Sequence, residues 1–205
     1  MASFILARNI PIITQNPSIY PEDVPGVELQ GKVAGIIGLG NIGSNVARLV
    51  TSIGMKCIYW SPRSRNPKYE YVELETLLKN ADFIYLTFYE SEKTRNFIDK
   101  HKLSLLKPTS YLISGLGSQP HLEGDSVDWE YAIKMVQTGK LAGLALEVGE
   151  KERISVEENI FITPGNSGWC TKEAIIKGSR AWIDNIVGII KGNPPNVILK
   201  GEKQK

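Results

Sequence analysis

Short, dense apolar runs alternate along the chain with longer stretches in which apolar residues recur every three or four positions. The runs fall at residues 32–37, 55–60, 83–87, 111–114, 141–148 and 160–163. Each is nearly uninterrupted and bounded by turn-forming residues, the pattern of a strand buried on both faces. The stretches between them carry helical spacing. Val46, Leu49, Val50 and Ile53 follow i, i+3, i+4, i+7 and predict one inward helical face. Leu74, Leu77 and Leu78 face inward from a helix over 72–81, and a short helix over 100–106 is ended by Pro108. Asp128 caps a helix over 129–137 that Gly139 ends, and a last helix runs from about 171 to 191 before Gly192, Pro194 and Pro195. Residues 1–10 read as a short helical piece stopped by Pro11. Residues 14–31, with three prolines and two glycines, read as an irregular connector. The remaining loops are a polar, basic one at 61–67 and a long polar one at 115–127.

Strands alternating with helices imply parallel pairing through right-handed crossovers. The first strand, turn and helix add chemistry. Gly38, Gly40 and Gly43 have the spacing G-x-G-x-x-G between a strand and a helix. In that setting the first glycine permits a tight turn, the second lets the backbone approach a pyrophosphate, and the third packs helix close on strand. The N–H groups and dipole of the helix N-terminus meet the phosphate charge. Gly38, Gly40, Asn41, Ile42 and Gly43 are therefore candidate cofactor-binding residues. The alternative is a glycine turn in an α/β protein that binds nothing. The expected fold is α/β, a Rossmann-type doubly wound parallel sheet in a single domain. Its six strands are the full complement for dinucleotide binding and use nearly all of the 205 residues. The expected division is an N-terminal helix and connector at 1–30, the dinucleotide-binding domain at 31–192 and a tail at 193–205.

Composition narrows the class. Hydrophobic content of 42% and charged content of 22% are ordinary for a globular protein. A net charge of +2 gives no general attraction to nucleic acid or membrane. No apolar run is long enough to span a bilayer, and the N-terminus does not read as a secretory signal. Two cysteines form neither a disulfide framework nor a metal pattern, so Cys57 reads as a reduced core residue. A cytoplasmic protein is expected.

Six blocks carry a resemblance: GIIGLGNIGSNVA, ADFIYLTFYESEKTRNFI, KLSLLKPTSYLISG, GKLAGLALEV, NIFITPGNSGW and NIVGIIKGNPPNVI. In this order they resemble the nucleotide-binding domain of the D-isomer-specific 2-hydroxyacid dehydrogenases, over roughly residues 1–200. Complete members of that family also have a substrate domain, built mostly from a segment before the glycine loop. Here about 30 residues precede the loop. They resemble the end of the family's interdomain helix and its connector, and the last helix resembles the C-terminal crossover helix. The resemblance implies a nucleotide lobe with its substrate lobe absent.

It also assigns cofactor positions. NAD-preferring relatives place Asp after the second strand, accepting from the ribose hydroxyls. The matching residue here is Ser61, followed by Arg63, Ser64 and Arg65. A carboxylate would repel a 2′-phosphate, whereas guanidinium and hydroxyl groups bind it through charge-assisted hydrogen bonds. The pattern is similar to NADPH-using glyoxylate and hydroxypyruvate reductases, and it implies that NADP(H) is preferred and NAD(H) possible. A solvated basic loop is the alternative. Thr87 and Glu147, at the ends of two further strands, complete the cofactor set. Glu147 replaces the Asp that usually meets the nicotinamide carboxamide.

The family's chemistry uses an Arg for the substrate carboxylate, a His as acid and base, and a Glu that supports the His. By the resemblance, the Arg position falls on Gly117 and the His position, anchored by Thr163-Pro164, on Gly165. Glu152 matches the Glu, with Arg153 in place of the following proline. His101 reads as a solvated residue of a polar helix, and His121 as an exposed loop residue. Tyr89, where relatives commonly have proline, and Trp169 read as packing over strand ends. Three functions remain open. The chain is an NAD(P)(H)-binding protein of impaired catalysis; or an active NADP-dependent oxidoreductase for a small 2-keto acid such as glyoxylate or hydroxypyruvate, completed by a partner lobe or by unconventional residues; or a protein that makes only protein contacts. A homodimer is expected, with residues 4–10 contributing, and a separate substrate-lobe chain is the other candidate partner.

Overall fold

The strand β1 (Val33–Ile37) lies inside the sheet, third of its seven strands, with Ala34, Ile36 and Ile37 fully buried. Around it the computed structural model arranges β2 (Lys56–Trp60), β3 (Glu70–Tyr71), β4 (Phe83–Leu86), β5 (Tyr111–Gly117), β6 (Gly143–Val148) and β7 (Ile160–Pro164). The order is β3-β2-β1-β4-β5-β6-β7, and every pair is parallel. The structure describes residues 1–117, 126–148, 158–164 and 170–195. The chain divides into two units, Met1–Gly165 and Asn166–Lys205.

All six expected strands are present, and two differences have simple causes. β3 adds a seventh, pairing Ile58 with Glu70 and Tyr59 with Tyr71. It is only two residues long, too short to carry a periodic signature. β5 runs on through Gly115-Leu116-Gly117, residues whose glycines read as loop, and its pairing with β6 is irregular between Ile113 and Gly117.

Helices cover both faces. On one, α4 (Leu74–Asn80), α5 (Lys100–Ser104) and α6 (Trp129–Gln137) bury Leu77, Leu78, Leu103, Ala132, Met135 and Val136. Asp128 caps α6 as expected, accepting from the Tyr131 N–H at 3.0 Å, and Gly139 follows with φ 67°. On the other face, α3 (Asn41–Ser52) buries Gly43, Ala47 and Val50. Of the predicted face, Val50 is buried and Val46 packs on this core, whereas Leu49 and Ile53 are 53% and 38% exposed. Small residues let the helix lie close to the sheet, and this turns the bulkier neighbouring stripe outward.

The N-terminal segment belongs to the same core. α1 (Ala2–Ala7) buries Leu6 and Ala7, packs toward β5, β6 and β7, and joins Ser3 Oγ to Tyr85 OH at 2.7 Å. Pro11 does not end a helix as expected. It sits in the first turn of α2 (Ile10–Gln15), after a left-handed Asn9 with φ 53°. The missing proline N–H costs nothing in a first turn. Across the sheet, Asp82 accepts from the Val33 N–H at 2.8 Å and from Lys107 Nζ at 2.6 Å, fixing β1, β4 and the turn before β5 together.

In the second unit, α7 (Lys172–Ile190) begins at Thr171, whose hydroxyl accepts from the Ala174 N–H at 3.1 Å, and ends at Gly192 with φ 72°. Ile175, Ile176, Trp182, Ile183, Ile186, Ile189 and Ile190 on it are exposed. No described helix is long and apolar enough to cross a membrane.

Candidate dinucleotide-binding site

The sheet changes direction between β1 and β4. The chain moves outward from β1 through β2 to β3, then returns to the other side of β1. A crevice at the carboxyl ends of the strands is expected at such a switch point. One is present there, a cavity of about 390 Å³ bounded by the turns after β1, β2 and β4.

The turn after β1 explains its glycines. Gly38 has φ 98°, and a Cβ on it would lie 2.8 Å from the Phe88 backbone. Its N–H donates to the Trp60 carbonyl at 2.9 Å. A Cβ on Gly43 would run into the Gly38 carbonyl oxygen and lie 2.8 Å from Thr87 Oγ1. That hydroxyl donates to Gly38 O at 2.8 Å and Ile37 O at 3.2 Å, so Thr87 fastens the loop from the β4 side. Gly40 differs from both: a Cβ there would meet nothing within 4 Å. It is the N-cap of α3, which has no side-chain cap. The first-turn N–H groups therefore remain available to an anionic ligand. Open space at Gly40, uncapped donors beside it and a crevice of this size fit the pyrophosphate of a dinucleotide.

The turn after β2 supplies the other wall. Ser61 is 4% exposed, and its Oγ accepts from the Ser64 N–H at 3.3 Å. Pro62, Arg63 and Ser64 line the cavity. Arg65 does not. Its Nη1 donates to Ser61 O at 2.8 Å and Ser64 O at 3.0 Å, and its guanidinium lies 3.9 Å over the Tyr71 ring.

The cavity thus gathers Gly38, Gly40, Asn41, Ile42, Ser61, Arg63, Ser64 and Thr87 of the predicted set. Gly43 sits behind it as a packing residue. Glu147 is on β6, in register with Gly117 and Thr163 and remote from β1 in the strand order. Glu152, Gly165, Trp169 and His121 lie outside the described residues. His101 is exposed, as expected. Tyr89 corrects an expectation. It is 86% exposed at the cavity rather than packed over strand ends, because the chain leaves the sheet at β4 before reaching it. The sequence reading also missed the cavity's aromatic support. Phe88 lines it and meets Phe97 edge-on at 5.3 Å, and Phe97 stacks on Trp60 at 5.5 Å. The available signal was an aromatic residue at or just beyond the ends of β2 and β4, the two strands that flank β1.

A parallel sheet with this strand order, a glycine turn opening a helix at the switch point and a crevice spanning both define a dinucleotide-binding domain of Rossmann type. Comparison with known proteins makes the assignment specific. The family model described as D-isomer specific 2-hydroxyacid dehydrogenase, NAD binding domain, matches residues 6–167, and the chain belongs to that family. It is 36% identical over 187 residues to a glyoxylate reductase of Thermococcus litoralis, covering 85% of this chain and 54% of that protein. A glyoxylate reductase of Aeropyrum pernix is 32% identical over 193 residues, covering 87% and 55%. Among solved structures, an acyclic imino acid reductase in complex with NADPH and D-Arg superposes with a TM-score of 0.82 at 27% identity, covering 96% of this chain and 64% of that one. The NAD-complexed D-isomer specific 2-hydroxyacid dehydrogenase of Lactobacillus delbrueckii ssp. bulgaricus gives 0.81 at 25% identity, covering 97% and 66%. The chain spans about half the length of the curated relatives it matches.

Proposed function

We propose that this chain is a dinucleotide-binding protein that prefers NADP(H) to NAD(H) and performs no efficient hydride transfer by itself. The observation that carries the cofactor reading is the wall of the crevice, where a buried Ser61 stands in place of a carboxylate and Arg63 and Ser64 line the cavity. Charge-assisted hydrogen bonds to a phosphate are worth about 1.5–3 kcal/mol, or roughly tenfold and upward in affinity. Among the structural relatives, one was solved with NADPH and another with NAD.

The catalytic reading rests on Gly117 and Gly165 at the positions that resemble the family's Arg and His. The nicotinamide would supply hydride. A glycine supplies neither a proton donor nor a cation for a carboxylate, and losing an acid/base group alone removes roughly 10²–10⁴-fold in rate. Glu152 is then the one group of the three that remains, without the histidine it would support. Calorimetric titration with NADPH and NADH tests binding, and equal or reversed affinities refute the preference. NADPH oxidation with glyoxylate, hydroxypyruvate and pyruvate tests chemistry, and turnover of roughly 1–10³ s⁻¹ refutes impairment.

A second reading has one observation in its favour, the half-length span relative to the glyoxylate reductases. An active oxidoreductase would then be completed by a separate substrate-lobe chain, and activity appearing only when that chain is added would support it. A cytoplasmic homodimer, its nucleotide domain at 31–192, is the assembly we infer. The exposure of Phe4, Ile10 and the apolar residues of α7 supports association. Light scattering that reports a monomer at micromolar concentration refutes it.

A further inference from the structure

The turn after β2 carries two guanidinium groups, and their surroundings differ. Arg63 lines the crevice and makes no hydrogen bond or ion pair with any described residue. Arg65 is spent on the protein. One nitrogen, Nη1, joins the carbonyls of Ser61 and Ser64 at 2.8 and 3.0 Å, closing the turn like a staple. Its face rests on the Tyr71 ring at 3.9 Å. The platform under it is itself braced. Tyr71 meets Tyr59 edge-on at 5.6 Å and donates its hydroxyl to Glu73 Oε1 at 3.3 Å. Tyr59 is 1% exposed, and its hydroxyl accepts from the Asn66 N–H at 2.8 Å. The turn is therefore held at Ser61, Ser64 and Asn66 while Arg63 projects from its middle.

Moving Arg65 onto a ligand phosphate would open the Ser61–Ser64 span and strip the guanidinium from its ring. Arg63 has nothing to give up. A lysine would not do the same work: its ammonium could donate to the two carbonyls, but it offers no planar face to lie on the aromatic ring. We propose that Arg65, seated on Tyr71, is a positioning residue, and that it shapes the turn so that Arg63 alone of the two guanidiniums meets the phosphate on the cofactor's adenosine ribose. The proposal rests on the NADP(H) reading of the same site.

The test is a double-mutant cycle read as the ratio of NADPH to NADH affinity, by calorimetry on the full chain, with thermal unfolding as a check on folding. Arg63→Gln brings NADPH affinity down about tenfold or more while NADH affinity holds. Arg65→Gln lowers the ratio in the wild-type background and leaves it unchanged once Arg63→Gln is present, since it acts through Arg63. Tyr71→Ala behaves as Arg65→Gln does, whereas Tyr71→Phe, which keeps the ring, retains the wild-type ratio. Additive losses from Arg63→Gln and Arg65→Gln overturn the proposal, as does an Arg63→Gln protein with wild-type preference; in either case the preference for NADP(H) still stands. A wild-type protein that binds both cofactors equally refutes that preference itself, and the phosphate role of Arg63 with it.

Discussion

Gly40 and Gly43 lie three residues apart at the start of one helix, and a methyl group added to each should have opposite consequences. At Gly43 the new carbon strikes the Gly38 carbonyl oxygen and comes within 2.8 Å of Thr87 Oγ1. Those two atoms are themselves hydrogen-bonded at 2.8 Å, so neither yields without opening the loop. Overpacking costs about 1–3 kcal/mol and the lost hydrogen bond about 1 more, giving roughly 2–4 kcal/mol. For a domain of this size each kcal/mol moves Tm by about 2–4 °C, so Gly43→Ala should lower it by roughly 4–16 °C. At Gly40 the methyl meets nothing within 4 Å, and φ −88°, ψ −157° suits any residue. The less favourable N-cap costs about 0.5–1 kcal/mol, and the stiffer unfolded chain returns about 0.4–1. Stability should be close to unchanged. The methyl does, however, stand in the crevice where, on the proposed reading, the pyrophosphate approaches. If it costs the complex the same 1–3 kcal/mol, dinucleotide affinity falls by about one to two decades. Differential scanning fluorimetry and calorimetry read the two effects separately. A Gly40→Ala protein that melts as low as Gly43→Ala, or one that binds dinucleotide like wild type, would refute the assignment of the crevice.

Two further predictions concern groups away from the crevice. Burial alone would raise the Asp82 carboxyl, but Lys107 and the Val33 N–H outweigh it and hold the group below the ordinary carboxylate range. Its stabilising contribution is therefore complete above about pH 4, the unfolded value, and is lost as pH falls through the folded one. Asp82→Asn should cost about 1–2 kcal/mol at neutral pH, after allowance for the partly exposed pair, and should flatten the acid limb of a Tm-against-pH curve; an unchanged limb would refute it. The second concerns thiols. Burial pushes Cys57 up to about 11, while Cys170 is exposed. Because the thiolate is the nucleophile, a disulfide reagent at pH 8 should modify one thiol quickly and the other only on unfolding. Cys170→Ser should remove the fast phase, and a fast phase that survives would place the reactive thiol at Cys57.

Where burial dictates composition, the chain can be read directly. The predicted runs match β1, β2, β4, β6 and β7 because a parallel strand covered on both faces must be apolar throughout. β3 escapes that logic, since two residues of Glu-Tyr become a strand only by pairing with β2. The inward face of α3 is only half legible, through Val46 and Val50, for a related reason. Its closest contacts use Gly43 and Ala47, which carry little hydrophobic signal, and the more apolar Leu49 and Ile53 mark the outer stripe. Pro11 was ambiguous in principle, since one residue type both stops a helix and suits a first turn. The glycine turn was legible because its spacing is a steric requirement written into sequence. Arg63 and Arg65 were not separable that way. Charge and proximity mark both as phosphate ligands, and only the backbone path brings the Ser61 and Ser64 carbonyls to one of them.

The division between binding and chemistry follows from where each set of groups sits. On the proposed reading, pyrophosphate recognition at this crevice relies on backbone N–H groups, the space left by Gly40 and a turn fastened by Thr87, all at the ends of β1 and β4. None of these depends on a titrating side chain. Gly117 ends β5 opposite Glu147, on the far side of β4 from the glycine turn. A side chain lost there removes no support from the crevice, since Gly38, Gly43 and Thr87 brace one another. Dinucleotide affinity and turnover are thus separable in this fold. On the proposed reading, Gly117 and Gly165 lower the rate of the chemical step while the crevice keeps its hold on the cofactor. Tight NADPH binding without oxidation is the signature expected of that arrangement.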